Sequence, residues 1–495
     1  MRRFFRFQVM HGFLEGFLAR LVGWTILGSL GVILAFGVLG IRIGGFGATL
    51  LFVAYQVVGL CLALVVTVLA WRRLTRADVR AKPLPKSQSQ RLSKISDPPI
   101  GRLDPTVCVC VPSFNEKVGI IATVSALLDQ TTPINEIILV DDGSEDGTIQ
   151  VLQQKYGLLL EENLGDAVLF RAQKDRRIRV AMARRGGKAA ALNRGLALAD
   201  SDLFVTVDAD TVLARDALAE ILAVYARDPL AVAVAGVVIP LPRRALQVAG
   251  RWRYRLPRTA LALYQTIDYA LDFAWRLGWE TANGAHVMSG CATSFRKDLL
   301  VQIGGFRATT VTEDYEVIHR LRRWCAENDR PHRILTAPRA RVFTEASATL
   351  SALMRQRIRW FHGFLQTQIA YCRLIGRYRY GWFGTLTLPV KTIDAASPGM
   401  VTIALCGFFL CLTGDATVNL GLVIIGTLGA RLAIDCAVGA TALALRQGAI
   451  APFFNWQQTA VLALALPPYY VVNRSLWLLI GLCAYWRLFT GSHRW

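Results

Sequence analysis

The sequence predicts an α/β domain built on a mostly parallel sheet and embedded between transmembrane α-helices, the whole a multi-pass membrane protein. Three observations carry this. From about residue 105, short apolar runs alternate with helical stretches, the pattern of βαβ units. Acidic turns follow several of those runs directly, where an open α/β sheet binds its ligands. Apolar stretches of about 20 residues, long enough for a helix to cross the hydrocarbon core, stand on both sides of the domain.

Composition agrees. The chain has 495 residues, 53% of them hydrophobic and 18% charged, with a mean hydropathy of +0.37. That is too apolar for an ordinary soluble enzyme, yet the middle of the chain is mixed and polar. The net charge of +21 comes from Lys and Arg crowded beside the apolar runs, as expected near anionic headgroups. No groove-reading motif accompanies it, so no nucleic-acid partner is expected. The ten cysteines are scattered without paired CxxC spacing, which argues against zinc and for reduced, buried, small apolar side chains.

Residues 1–72 read as an N-terminal transmembrane hairpin with spans at about 21–40 and 48–70. Arg2, Arg3 and Arg6 precede the first span, and a basic run from Arg72 follows the second, which places both flanks and the central domain in the cytosol. The first span lacks a small-residue cleavage site and a second follows at once, so it reads as an uncleaved anchor. Residues 73–104 are a basic Pro- and Ser-containing linker. The α/β domain covers 105–348, with strands expected in 106–116, 136–142, 178–183, 202–208 and 231–238. Residues 349–383 are Arg-rich, aromatic and amphipathic, the pattern of interface helices. Residues 384–495 contain about three further spans, near 396–413, 417–444 and 458–486. An odd count of spans puts the C-terminus outside while Arg487 and Arg494 favour inside, and both readings stand. Arg431, Asp435, Asn473 and Arg474 fall within those spans, where charge is costly and marks either a polar path or helix pairing.

Four acidic or basic groupings carry chemistry. Asp141, Asp142 and Gly143 form a turn at a strand end, where a carboxylate can accept hydrogen bonds from a uracil or ribose; Pro112, Asn115 and Glu116 end the preceding strand and line the same crevice. Asp208 and Asp210 lie two residues apart just past another strand, so in extended backbone both point to one side and suit Mg2+ or Mn2+ beside a diphosphate. Glu313 and Asp314 follow the Gly304-Gly305-Phe306 turn; either can serve as a base for a hydroxyl proton, and Thr312 would cap a helix that starts there. Gln356, Arg359 and Trp360 share one helix face. Arg359 could pair with a diphosphate and Trp360 could stack on a sugar.

In this order, DDGS, DxD, TED and QxxRW resemble the processive family 2 glycosyltransferases with a GT-A fold, over about residues 105–363. GKAAALN at 187–193 is similar to a family segment, with Ala190 in place of the usual glycine, and implies that Lys188 and Asn193 hold the nucleotide-sugar. SGCATSFR at 289–296 resembles the segment lining the acceptor site, which implies Ser289, Gly290 and Cys291 at the sugar. By the same likeness Asp142 contacts the uridine, Asp208 and Asp210 hold diphosphate and metal, Asp314 is the general base, and Gln356, Arg359 and Trp360 close the diphosphate and acceptor sites. The segments SFRK, GGF and TEDYE look closest to poly-N-acetylglucosamine synthases, which implies UDP-N-acetylglucosamine as donor.

The expected function is therefore an inverting, processive transfer of sugar from a UDP-sugar to a growing β-linked polysaccharide, with extrusion through the membrane spans. The lipid bilayer and accessory membrane or periplasmic export subunits are the expected partners. Two other readings stand beside it: a transferase that adds one sugar to a lipid carrier, and a catalytically inactive membrane scaffold or transport component.

Overall fold

The computed structural model describes residues 105–241, 256–412 and 456–490, with isolated positions at 65–69 and 429–443. Ten strands form a single sheet in the order β3-β4-β5-β2-β1-β6-β9-β8-β10-β7. In chain order these are β1 (Val107–Ser113), β2 (Glu136–Asp141), β3 (Leu158–Asn163), β4 (Ala167–Ala172), β5 (Ile178–Ala183), β6 (Leu203–Val207), β7 (Val212–Leu213), β8 (Ala231–Leu241), β9 (Ala292–Arg296) and β10 (Arg333–Glu345). The helices are α1 (Ile120–Leu128), α2 (Thr148–Tyr156), α3 (Lys188–Leu198), α4 (Ala217–Arg227), α5 (Ala260–Thr281), α6 (Lys297–Gln302), α7 (Glu313–Glu327), α8 (Leu350–Ala370), α9 (Leu388–Leu412), α10 (Trp456–Leu464) and α11 (Leu466–Thr490).

β1 explains why its sequence is apolar throughout. Val107, Val109 and Val111 enter the core on one face of the sheet, and Cys108 and Cys110 enter the core on the other. A central parallel strand is covered on both faces, so every position is apolar. Both thiols are fully buried, and burial pushes them up, so they stay neutral and act as packing. Among the described residues every cysteine is free.

β5, β2, β1 and β6 run parallel, as the sequence predicts. The sheet as a whole is mixed, because β9 inserts antiparallel between β6 and β8 and β4 pairs antiparallel with β5. Chain order leads outward from β1 to β2 and β5 on one side and to β6 on the other. That reversal opens a crevice at the carboxyl ends of β1, β2 and β6, the place such sheets bind ligands.

The multi-pass membrane expectation is corrected here. Among the described residues no helix is long and apolar enough to cross a membrane. The expected span 396–413 falls in α9, whose first turns carry the Lys391–Asp394 ion pair (2.8 Å) and whose interior contains Pro398. The expected span 458–486 is divided between α10 and α11. In α11, Asn473 accepts from Tyr264 Oη at 2.6 Å, and Arg474 pairs with the buried Asp435. The N-terminal spans, Arg431 and most of 417–444 lie outside the described residues.

α8 begins at a capped turn, where Thr349 Oγ1 accepts from the Ala352 N–H at 3.2 Å. Leu353, Ile358, Phe361 and Leu365 of α8 are buried, and Ile358, Phe361 and Leu365 pack with Ile480 and Ala484 of α11. α3 lies so close to β1 that a side chain at Gly195 would overlap the Cys110 sulfur. Gly195→Ala is expected to lower stability by about 1–3 kcal/mol through overpacking, seen as a lower urea midpoint with an unchanged slope.

Candidate active site

The loops after β1 and β2 are laced to each other. Asn115, in left-handed backbone (φ 57), donates its N–H to Ser144 Oγ at 2.9 Å and accepts from the Glu145 N–H at 2.9 Å. The Lys117 N–H donates to Asp146 and the Glu116 N–H to Thr148 Oγ1, both at 2.9 Å. Asp141 closes its own turn by accepting from the Ser144 N–H at 3.0 Å. Pro112 and Glu116 are half-buried at this edge.

Asp142 has a defined task. Its two carboxylate oxygens accept from the N–H groups of Gly186 (2.7 Å) and Gly187 (2.8 Å). The carboxylate is buried and bound to the loop that opens α3, so it shapes the crevice from beneath. Next to it the Arg185 guanidinium stacks on Phe114, 4.2 Å from the ring centroid, a pair that sequence reading did not single out. The RRGGK run before the helix was its available signal.

Lys188 is the first residue of α3. Its ammonium lies 2.7 Å from Asp208 Oδ1 and 3.1 Å from Glu313 Oε1. Burial alone would lower its pKa, but the surrounding charges of Asp208, Glu313 and Asp314 raise it well above the usual lysine value. Asp210 is pushed up to about 6 by burial and by the neighbouring Asp208 charge, with Glu345 at the end of β10 adding to the effect. Glu345 was also missed from sequence.

Asp314 stands in the first turn of α7. Its carboxylate accepts from the Gly290 N–H at 3.0 Å and from the Tyr315 N–H at 2.9 Å. Burial, then the Glu313 charge, push it up to about 6, while Lys188 pulls the other way. Lys188, Glu313, Asp314, Gly290, Thr206 and Thr293 line one small cavity, closed behind by Phe295 and Phe306. A side chain at Gly290 would come 3.1 Å from the Lys188 ammonium and 3.2 Å from the Asp314 carboxylate, so glycine is required for this approach. Ser289 accepts from Thr293 Oγ1 at 2.7 Å through its carbonyl. Burial, then the charges of Asp208 and Asp210, hold the Cys291 thiol neutral.

Two expected roles change. Asn193 donates to the Phe306 carbonyl (2.8 Å) and accepts from its N–H (2.7 Å). Its amide pins the Gly-Gly-Phe turn that leads into Glu313, and a side chain at Gly305 (φ +66) would strike it. Thr312 precedes α7 but makes no side-chain cap, because it is pressed against Gly363 of α8.

Gln356 accepts from Ser347 Oγ at 3.4 Å, and Arg359 and Trp360 are half-buried. α8 meets the base helix farther along. Gln366 accepts from the Val311 N–H at 3.0 Å, Gln368 donates to Tyr315 Oη at 3.0 Å, and Tyr371 donates to Glu316 at 2.6 Å.

Asp208 and Asp210 fit a divalent cation as far as protein groups allow. They are two close carboxylates, one of them raised by like charge. Among the described residues no third His, Cys, Asp or Glu completes a protein-only site. That donor set suits a cation that shares phosphate oxygens and waters.

The crevice thus joins the strand-end acids Asp208 and Asp210 to Lys188, which stands between Asp208 and Glu313 and shares a cavity with Asp314. Residues 108–300 match the model of glycosyl transferase family 2. Over 251 residues it is 30% identical to the poly-beta-1,6-N-acetyl-D-glucosamine synthase of Staphylococcus aureus (strain COL), covering 50% of this chain and 52% of that one. It is 28% identical to the Staphylococcus epidermidis enzyme of the same name over the same shares. The chain thus spans about half the length of these relatives. The fold is similar to that of a mannosyltransferase from Pyrobaculum calidifontis in complex with GDP-Man and Mn2+, with a TM-score of 0.50 and 19% identity over 87% of this chain and 99% of that one.

Asp142→Ala is expected to leave two amide donors without their acceptor, at a cost of about 1–3 kcal/mol. Faster hydrogen exchange at Gly186 and Gly187 and a lower unfolding midpoint would show it. Asp142→Asn should lose less, because its amide oxygen still accepts one bond.

Proposed function

We propose that the protein is an inverting, processive glycosyltransferase that polymerises N-acetylglucosamine from UDP-N-acetylglucosamine into a β-linked glycan. The observation that carries this reading is the single cavity shared by Lys188, Glu313 and Asp314, with Asp208 2.7 Å from Lys188. Their proximity supports a base at Asp314 beside a cationic seat for a diphosphate at Lys188. The staphylococcal relatives support the sugar and the polymer.

The reaction needs three things from this chain. The donor is gripped at the crevice formed by the loops after β1 and β2, with Lys188 placed against the diphosphate charge. Asp314 accepts the proton of the acceptor hydroxyl, held in orientation by the Gly290 N–H. The hydroxyl oxygen then bonds to the anomeric carbon as the carbon–oxygen bond to the diphosphate breaks, and UDP departs with that electron pair. Attack opposite the leaving group inverts the centre, so an α-linked donor yields a β-linkage. Asp208 and Asp210 would hold Mg2+ or Mn2+, which when bound neutralises charge on the departing diphosphate. Gln356, Arg359 and Trp360 are assigned to the diphosphate and acceptor side, with Trp360 as the sugar platform.

A base pushed up to about 6 works as a carboxylate, so kcat/KM should fall as pH drops through that value. Lys188 lowers the Asp314 pKa, so Lys188→Met should move this acid limb to higher pH as well as weaken donor binding. Asp314→Asn should cut turnover by about 100- to 10,000-fold with donor binding retained, and chelation should abolish it.

The test is UDP release and product size with UDP-N-acetylglucosamine, UDP-glucose, UDP-glucuronate and UDP-galactose, each with Mg2+ or Mn2+. Cation-dependent release and a polymer from UDP-N-acetylglucosamine alone is the expected result. A single-sugar product contradicts processivity, and turnover that survives Asp314→Asn contradicts the base.

A further inference from the structure

The reading above assigns Gln356, Arg359 and Trp360 of α8 to substrate and leaves Arg357 without a task. Arg357 precedes Trp360 by three residues and therefore lies beside it on the helix surface. Its guanidinium carbon is 4.4 Å from the centroid of the Trp360 ring and 5.5 Å from that of Tyr269 in α5. The guanidinium forms an ion pair with Asp268 of α5 at 2.5 Å, and the two side chains are only 20% and 23% exposed. Asp268 also accepts from Tyr469 Oη of α11 at 3.0 Å. One turn earlier on α5, Tyr264 packs on Tyr469 with ring centroids 5.0 Å apart and donates to Asn473 of α11. Tyr269 meets the edge of Trp360 at 6.5 Å. Three helices thus converge on one guanidinium, and the indole assigned to the acceptor sugar is the surface it stacks on.

We propose that Arg357 is a positioning residue for the acceptor: held by Asp268, it fixes the plane of the Trp360 indole on which the sugar stacks. The proposal rests on the assignment of Trp360 made above. The chemistry demands arginine. A guanidinium is planar and can pair with a carboxylate at its edge while its face lies on an aromatic ring, whereas a lysine ammonium keeps the charge but not the plane. Arg357→Lys therefore separates the two functions. The charge facing Asp268 survives and the α5–α8–α11 junction stays neutralised, but the indole loses its backing.

The test is initial-rate kinetics with UDP-N-acetylglucosamine and a β-linked N-acetylglucosamine oligosaccharide as acceptor. Arg357→Lys should raise the acceptor KM by about tenfold and hold the donor KM within about twofold. Asp268→Asn, which keeps the side-chain shape but loses the ionic grip on Arg357, should raise the acceptor KM by a smaller factor and keeps the test available should Arg357→Lys fold poorly. Trp360→Ala should raise the acceptor KM at least as much, and adding Arg357→Lys to it should change nothing further, because the backing has no platform left to hold. The proposal is overturned if the acceptor KM stays at the wild-type value in Arg357→Lys while it rises in Trp360→Ala, if donor and acceptor KM rise together, or if the two substitutions multiply independently. If Trp360→Ala itself leaves the acceptor KM unchanged while Asp314→Asn abolishes transfer, the assignment of Trp360 fails and this proposal falls with it, but the assigned base stands.

Discussion

The ammonium of Lys188 between Asp208 and Glu313 is the interaction on which the site depends. Four carboxylates, Asp208, Asp210, Glu313 and Asp314, approach one another at the edge of the sheet, where water is scarce and like charges repel strongly. Lys188 offsets part of that repulsion, while burial and then the neighbouring carboxylate charge raise Asp210 and Asp314. The lysine can stand there because the loop before it is held from below. Asp142 takes the amides of Gly186 and Gly187, so the start of α3 is fixed relative to the end of β2. Two side chains, Asp142 and Lys188, thereby connect the ends of β2 and β6 with the starts of α3 and α7.

Asp314, the base of the proposed reaction, is positioned by backbone and small residues. Gly290 donates to Asp314 and has no side chain to displace it. Asn193 secures the turn before α7 from the far end of the first two turns of α3, so the same helix supplies Lys188 at its start and the support for the base helix within it. α8 closes this arrangement from outside, through Gly363 against Thr312 and the Gln366, Gln368 and Tyr371 bonds to α7 and its approach. Movement of α8 would therefore be felt at both Trp360 and Asp314.

Much of this was legible in sequence for identifiable reasons. β1, β2, β5, β6 and β8 are runs of apolar residues long enough to declare themselves, and the acids at Asp142, Asp208 and Asp314 follow elements whose ends are marked by Gly or by a change of polarity. The mixed sheet was not legible, because β9 is five residues of ATSFR and its antiparallel insertion between β6 and β8 is set by pairing across more than eighty residues of chain. Which way a polar side chain turns was equally hidden. Asp142 and Asn193 have the residue types expected at a nucleotide-sugar site, yet both are satisfied by backbone amides and carbonyls of neighbouring loops. Arg357 and Asp268 lie in helices distant in sequence, so their pairing left no local trace. In α11 the sequence marked Asn473 and Arg474 as polar, but their partners Tyr264 and Asp435 lie far off in the chain and left no local trace.

The central claim of the proposed function is one displacement at the sugar carbon, with Asp314 as the base. Its most direct test is the anomeric configuration of the first linkage made from UDP-N-acetylglucosamine, read by the proton coupling constant of the new anomeric centre in NMR. The account predicts a β-linkage from the α-linked donor. An α-linkage would contradict it, since retention requires a second displacement for which Asp314 alone does not suffice.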